Sequence, residues 1–331
     1  MQILRHIEHR SLLIPKPILT MGNFDGIHLG HQALLRRVIR EAKAQGGSSV
    51  VLTFEPHPLR ILAPERAPRL ILTHKDKMRI LQSYGVDLVI IQTFDSTFAN
   101  LEAEEFVRRH LIDRLGVRKI WVGRDLRFGR GRKGRVEDLI RWGAGGGFEV
   151  GIVEPIQIRG ARVSSSRIRE LIERGDVSEV EPLLGRYHFI SGRVVRGHRR
   201  GTQLGFPTAN IVTRTEVLPL DGIYATFLQT GERQWSGVTN IGLNPTFGSG
   251  PRTIESYMFD FSGDLYGRPV QLFFVRRIRE EKKFSTPELL VEQMKKDVVS
   301  AQDILSKVNL RGWAEWGKIA VPDVDASDYS R

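Results

Sequence analysis

The pattern of apolar and polar positions changes character partway along the chain. Residues 17–22 (PILTMG) form a short apolar run closed by Gly22. Residues 29–44 (LGHQALLRRVIREAKA) then repeat Leu, Val and Ile at helical spacing until Gly46-Gly47 stops them. A strand-like run at 49–54 (SVVLTF) ends before Glu55-Pro56. A helical pattern at about 74–84, a strand at 87–92, a helix at about 102–115 stopped by Gly116, and a strand at 119–123 follow. This alternation predicts an α/β domain with a parallel sheet and helices on both faces. Beyond residue 185 the runs are short, β-branched or aromatic, and separated by Gly, Pro and Asn: YHFISGRVV, GIYATFLQ, QWSGVTNIG, TIESYMFDF and RPVQLFFVRRI. No helical period interrupts them until about 286–308, which predicts a small antiparallel β-barrel with a C-terminal helix. The boundary is expected near Asp176–Arg186, giving domains 1–183 and 184–310. A polar tail, 311–331, is expected to be partly disordered.

The length of 331 residues fits two domains. With 50 Lys and Arg against 38 Asp and Glu, the net charge of +12 predicts attraction to polyanions without choosing among nucleotides, nucleic acid and anionic lipid. The absence of Cys excludes disulfides, thiolate zinc sites and cysteine nucleophiles. No run approaches the length of a membrane-spanning helix, and the N-terminus lacks a signal-peptide core. The default compartment is the cytoplasm, with no membrane partner expected.

Residues 22–32 read GNFDGIHLGHQ and fall where the first strand turns into the first helix. That place offers free backbone N–H groups and the positive end of a helix dipole to phosphate. Gly22 and Gly26 permit close approach of a nucleotide. His28 and His31, three apart, share a helix face and can donate hydrogen bonds to charge developing at phosphorus. The chemistry suggested is nucleotidyl transfer, with attack on an α-phosphate and loss of pyrophosphate. A bare H-x-x-H is also compatible with surface residues or with half a zinc site. Downstream, VSSSRIR at 163–169 opens a helix, and Ser164, Ser165, Arg167 and Arg169 suit a second anion seat. A plain Ser N-cap with exposed arginines is the simpler reading of that segment alone. Between the two lies VGRDLRFGRGRKG at 122–134. Arg124 to Phe128, Asp125 among them, are expected to line the same cleft, with Arg130, Arg132, Lys133 and Arg135 on a mobile basic loop.

Together these segments resemble the adenylyltransferase half of the prokaryotic bifunctional riboflavin kinase/FAD synthetase family. GNFDGIHLGH is similar to the family's nucleotide-binding signature, so the resemblance implies nucleotide-binding roles for Gly22, Asn23, Phe24, Asp25 and Gly26. VSSSRIR resembles the second signature, with Ser166 in place of the common Thr. TFEPHP at 53–58 and VGRDLRFG also match, with Leu126 in place of a usual Phe.

The second half carries GTQLGFPTAN at 201–210, DGIYA at 221–225, VTNIGLNPTFG at 238–248 and IESYMFDFSGDLYG at 254–267. No G-x-x-x-x-G-K-[ST] phosphate loop exists in the chain, but the glycine-flanked loop 197–205, Gly201 within it, can wrap phosphates with backbone N–H groups. Thr208 and Asn210 supply hard oxygen ligands suited to Mg²⁺ carried by ATP. Glu255 in an apolar strand is a candidate base for a hydroxyl nucleophile, or else a solvent-facing residue on an edge strand. Residues 187–308 resemble the riboflavin kinase module of the same family, in which LGFPTAN carries the magnesium–ATP signature and IESYMFDF the base-bearing strand. The resemblance implies two steps: phosphorylation of riboflavin to FMN, then adenylylation of FMN by a second ATP to FAD and pyrophosphate. Its catalytic residues would be His28, His31, Arg169 and Glu255. One alternative is an adenylyl- or cytidylyltransferase for another phosphate substrate fused to a flavin-binding barrel, against which the Glu255 strand speaks. Another is a nucleic-acid-binding protein, disfavoured because the basic residues are scattered and aromatics make up only 8%.

Overall fold

The computed structural model describes residues 1–7, 14–197, 200–243 and 252–308. The tail from 311 and residues 244–248 of the VTNIGLNPTFG stretch lie outside the described residues.

Six parallel strands, β1 (Gln2–Arg5), β2 (Pro17–Met21), β3 (Ser48–Glu55), β4 (Leu88–Thr93), β5 (Lys119–Gly123) and β6 (Glu149–Val153), form a sheet of order β1-β4-β3-β2-β5-β6. All five residues of β2 are buried, as a strand covered on both faces requires. The helices are α1 (Leu29–Ala44), α2 (His74–Ser83), α3 (Ala103–Phe106), which runs on in wider turns through Val107–Arg114, and α4 (Val136–Gly146). From β2 the chain builds outward through β3 and β4, then returns to place β5 on the other flank of β2. The β2 carboxyl end is therefore the switch point of the sheet, where open α/β sheets bind ligands. Strands β1 and β6 were not legible in the pattern. Both are short edge strands, β1 mostly exposed and β6 part-exposed, so the apolar run that marks a central strand is missing. A two-stranded hairpin, β7 (Gln157–Ile158) and β8 (Ala161–Arg162), leads to α5 (Ser165–Glu173).

Strands β9 (His188–Val195), β10 (Thr208–Thr213), β11 (Gly222–Thr230), β12 (Arg233–Leu243), β13 (Arg252–Met258) and β14 (Pro269–Arg279) close an antiparallel barrel of order β10-β13-β12-β11-β14-β9. Ile190, Val194, Ile211, Tyr224, Ile241, Ile254 and Met258 belong to its apolar core. Inside the barrel the buried hydroxyls of Thr226, Thr239 and Ser256 satisfy one another across three adjacent strands, at 2.7 and 3.1 Å. Helix α6 (Pro287–Ser306) follows, with Thr286 as N-cap. Its Asp297 makes a buried two-bond pair with Arg279 of β14 at 2.9 and 2.6 Å.

By packing, residues 70–76 and 164–308 belong with the barrel, whereas 1–69 and 77–163 belong with the sheet. This division falls earlier than the boundary expected from the change in rhythm. Val177, between α5 and β9, is fully buried in the barrel's core.

Candidate functional sites

The turn from β2 into α1 is held in an unusual backbone shape. Phe24 (φ 50°) and Ile27 (φ 41°) both lie in the left-handed region that side chains disfavour, and Gly26 (φ 80°) sits between them. Both apolar side chains are fully buried, which holds the turn against that cost, and strain of this kind concentrates at functional sites. Gly22 ends the strand by donating its N–H to Leu52 at 3.0 Å. The Asn23 side-chain amide lies 3.0 Å from His57 Nε2, and His57 Nδ1 accepts the Leu59 N–H at 3.2 Å. Thus TFEPHP meets GNFDG. Asp25 and His28 are buried within the same turn.

His28 is the N-cap of α1, its Nδ1 accepting the His31 N–H at 3.4 Å, so its proton is carried on Nε2. The two imidazoles stack, with centroids 3.8 Å apart at 18°. Burial, then the neighbouring His28 and Lys77, pull His31 well below its ordinary value. Its Nδ1 is buried without a hydrogen-bond partner among the described residues. A neutral His31 stacked on His28 at a helix N-terminus offers donors and acceptors suited to phosphate oxygens.

Lys77 of α2 completes this site and was missed in the sequence. Its Nζ donates to the Asn23 carbonyl at 3.3 Å and to Thr53 Oγ1 at 3.2 Å. Burial draws the ammonium below its usual range, while Asp25 and Glu55 favour its charge. One signal was available: Lys77 shares a helix face with Ile80 and Leu81, both fully buried, and a cation on an apolar face needs a purpose.

In the 122–135 stretch, Leu126 and Phe128 are partly buried against the sheet's apolar core, Phe128 meeting Phe106 and Trp142. The basic loop is tied by paired backbone bonds between Phe128 and Gly134 and by an Arg130–Glu102 ion pair. Arg124 pairs with Glu154, and exposed Asp125 pairs with Arg162. In VSSSRIR, Ser164 is the N-cap of α5 and accepts the Arg167 N–H at 3.3 Å, while Ser165, Arg167 and Arg169 are half-buried on its first turns. By packing, α5 belongs with the barrel.

A cleft of about 800 Å³ at the amino ends of β2, β5 and β6 includes Lys16, Arg118 and Lys119. Lys119 is taken by Glu41 and Glu149. The carboxyl ends of α1 and α4 reach it at Ala44 and Gly143, and their dipoles oppose an anion there.

In the barrel, Asn210 of β10, Glu255 of β13 and Asn240 of β12 stand opposite one another in register. Ile254, Ser256 and Met258 are buried and alternate with Glu255 and Tyr257, which face outward. Strand β13 is paired on both sides, so the edge-strand reading of Glu255 does not hold. Thr208 Oγ1 lies 3.5 Å from Glu255 Oε2, and Tyr257 packs edge-on to Phe206 at 5.2 Å. A Cβ on Gly197 would land inside the Asn210 side chain, and one on Gly201 would meet the Phe206 carbonyl, with Thr208 Oγ1 at 3.3 Å. The backbone thus closes tightly around the two oxygen donors. Asn240 and Glu281 were also missed. Asn240 Nδ2 donates to Glu281 at 3.4 Å, and its Oδ1 is buried without a partner among the described residues. Burial first, then Asp221 and Glu255, raise the Glu281 carboxyl. Asn240 lay within a quoted motif, but only strand register places it beside Glu255. Among the described residues no cluster of three His, Asp or Glu is arranged to hold a metal.

The sequence pattern of FAD synthetase matches residues 14–167, and that of riboflavin kinase matches 184–305. A bifunctional riboflavin kinase/FMN adenylyltransferase from Escherichia coli K12 is 38% identical over 287 residues, covering 86% of this chain and 92% of the relative. One of the same name from Pseudomonas fluorescens is 39% identical over 297 residues, covering 89% and 93%. A crystal structure from Streptococcus pneumoniae, described as a macrolide-efflux protein, superposes with a TM-score of 0.83 at 32% identity, covering 93% of this chain and 99% of that one. Among the described residues here, no helix is long and apolar enough to cross a membrane.

Proposed function

The chain belongs to the bifunctional riboflavin kinase/FMN adenylyltransferase family, and from that premise we propose that it makes FMN and then FAD at two separate sites. The observation that carries this reading is that each matched segment contains its own polar constellation: stacked His28 and His31 in one, Thr208 beside Glu255 in the other.

In the barrel, Glu255 accepts the proton of the riboflavin ribityl 5′-hydroxyl as that oxygen bonds to the γ-phosphorus of ATP and ADP leaves. Thr208 and Asn210 fit Mg²⁺, since both offer hard oxygens in a pocket that Gly197 and Gly201 keep tight. Bound there with the nucleotide, Mg²⁺ screens polyphosphate charge. Asn240 and Glu281 extend the polar row beyond Glu255. At the β2–α1 turn, an oxygen of the FMN phosphate attacks the ATP α-phosphorus, and the bond to the β-phosphate oxygen breaks to release pyrophosphate. His28 and neutral His31 donate to the charge gathering on the phosphoryl oxygens, and Lys77 adds a fixed cation beside the Asn23 carbonyl. By the family resemblance, Arg169, Ser164 and Ser165 are offered as phosphate donors at the start of α5. A cytoplasmic setting with ATP, FMN, FAD and pyrophosphate as its small-molecule partners is part of the same proposal.

The test is incubation with riboflavin, ATP and Mg²⁺, with FMN and FAD separated by chromatography over time. FMN should rise first and FAD follow. If neither product forms from a folded preparation, the reading fails.

A further inference from the structure

Residues 70–76 lie within the FAD synthetase match, yet they pack with the barrel. The Val217 N–H donates to the Leu70 carbonyl at 3.3 Å, and the Leu70 N–H donates to Glu216 Oε2 at 2.8 Å. At the other end, Asp76 is buried at 2% exposure, and two hydroxyls hold its carboxylate: Thr73 Oγ1 on Oδ2 at 2.5 Å and Ser191 Oγ on Oδ1 at 2.7 Å. The Asp76 N–H donates to Thr73 Oγ1 at 3.2 Å, so Thr73 and Asp76 bind each other at the start of α2. The next residue is Lys77, whose ammonium reaches Asn23 and Thr53.

We propose that Ser191, on barrel strand β9, is a positioning residue for FMN adenylylation: by holding the Asp76 carboxylate it fixes the first turn of α2 and thereby the Lys77 ammonium. This rests on the reading that adenylylation takes place at the β2–α1 turn. A buried carboxylate keeps its place only while its oxygens are satisfied. Without the Ser191 hydroxyl, Oδ1 loses one of its donors and the turn that the carboxylate ties to β9 is held less firmly. Lys77, one residue on, has its Nζ set by two contacts of 3.2 and 3.3 Å, and a small displacement of the helix start lengthens both. Ser191 itself stays in place, because its carbonyl is held by Thr213 Oγ1 at 2.6 Å.

The experiment measures FAD formation from supplied FMN and, separately, riboflavin phosphorylation, in the full chain. Ser191→Ala should lower kcat for FAD formation about 3- to 10-fold, the scale of coupling through one positioning bond. KM for ATP and FMN, and riboflavin phosphorylation, should stay within about two-fold. Ser191→Thr, which keeps the hydroxyl, should restore the rate. Wild-type FAD formation by Ser191→Ala, or equal loss of both activities, overturns the proposal. His31→Ala reports on the underlying reading. If it abolishes FAD formation while Ser191→Ala does nothing, only the coupling is wrong. If His31→Ala is itself inert, the site has been misplaced and the proposal goes with it.

Discussion

His31 and Glu255 are the two side chains on which the proposed chemistry turns. His31 is kept neutral by burial and by two neighbours that would repel its charge, so it is available as donor or acceptor across the neutral range. His31→Ala removes a preorganised group from the phosphoryl oxygens and should cut FAD formation about 10²–10³-fold, with riboflavin phosphorylation unchanged. Equal loss in both reactions of a folded variant would refute that assignment. Glu255→Gln keeps size and hydrogen bonding but cannot take a proton, so kinase turnover should drop about 10²–10⁴-fold. FAD formation from supplied FMN should persist, and a wild-type kinase rate would show that the base lies elsewhere. Both residues were readable in the sequence because each sits in a dense motif. Lys77, Asn240 and Glu281 were not. Their signal is a neighbour reached through helix packing or strand register, and no linear spacing encodes that.

At the scale of elements, strong periodicity was legible and edges were not. Strands β2 to β5 and helix α1 carry apolar runs or stripes, while β1, mostly exposed, and β6, part-exposed, lack them. The barrel was readable from its rhythm, but its interior holds one residue that the pattern could not explain. His188 of β9 is 1% exposed and stacks on Phe274, with its Nε2 lacking a partner among the described residues. Burial, then Arg186, lower its pKa from 6.5 to about 3. The unfolded chain binds this proton near pH 6.5 and the folded chain only near pH 3. Stability is therefore intact above pH 6.5 and is lost by about 1.4 kcal/mol per unit as pH falls between those values. His188→Leu removes that slope and also the orphaned nitrogen. In denaturant titrations its advantage over the wild type should be about 2 kcal/mol larger at pH 5 than at pH 8. An advantage that does not change with pH would mean that His188 is not held neutral by the fold.

At the scale of the whole molecule, the order of the two modules was legible, but the change in strand rhythm does not coincide with the packing boundary. Rhythm reports where strands begin, whereas packing follows side chains such as Val177, Val180, Leu183 and Leu184, each at most 1% exposed and all placed ahead of β9. A barrel fragment cut at residue 185 forfeits these four. Fully burying such a side chain contributes about 1.5–3 kcal/mol, so the loss is a large fraction of the stability of a domain this size. A fragment of residues 164–331 retains them together with α5. It should phosphorylate riboflavin near the full-chain rate and make no FAD, because it lacks His28, His31 and Lys77. Its melting temperature should exceed that of 185–331 by at least about 5 °C. Both fragments lose Leu70–Asp76, whose carboxylate at Asp76 is the partner of Ser191. The Ser191 hydroxyl, half-buried on β9, then has water or a neighbour to turn to, so this loss should be the same in both fragments and cancel in the comparison. Equal melting temperatures would show that residues 164–184 add nothing to the barrel, and that the boundary set by strand rhythm is also the boundary of stability.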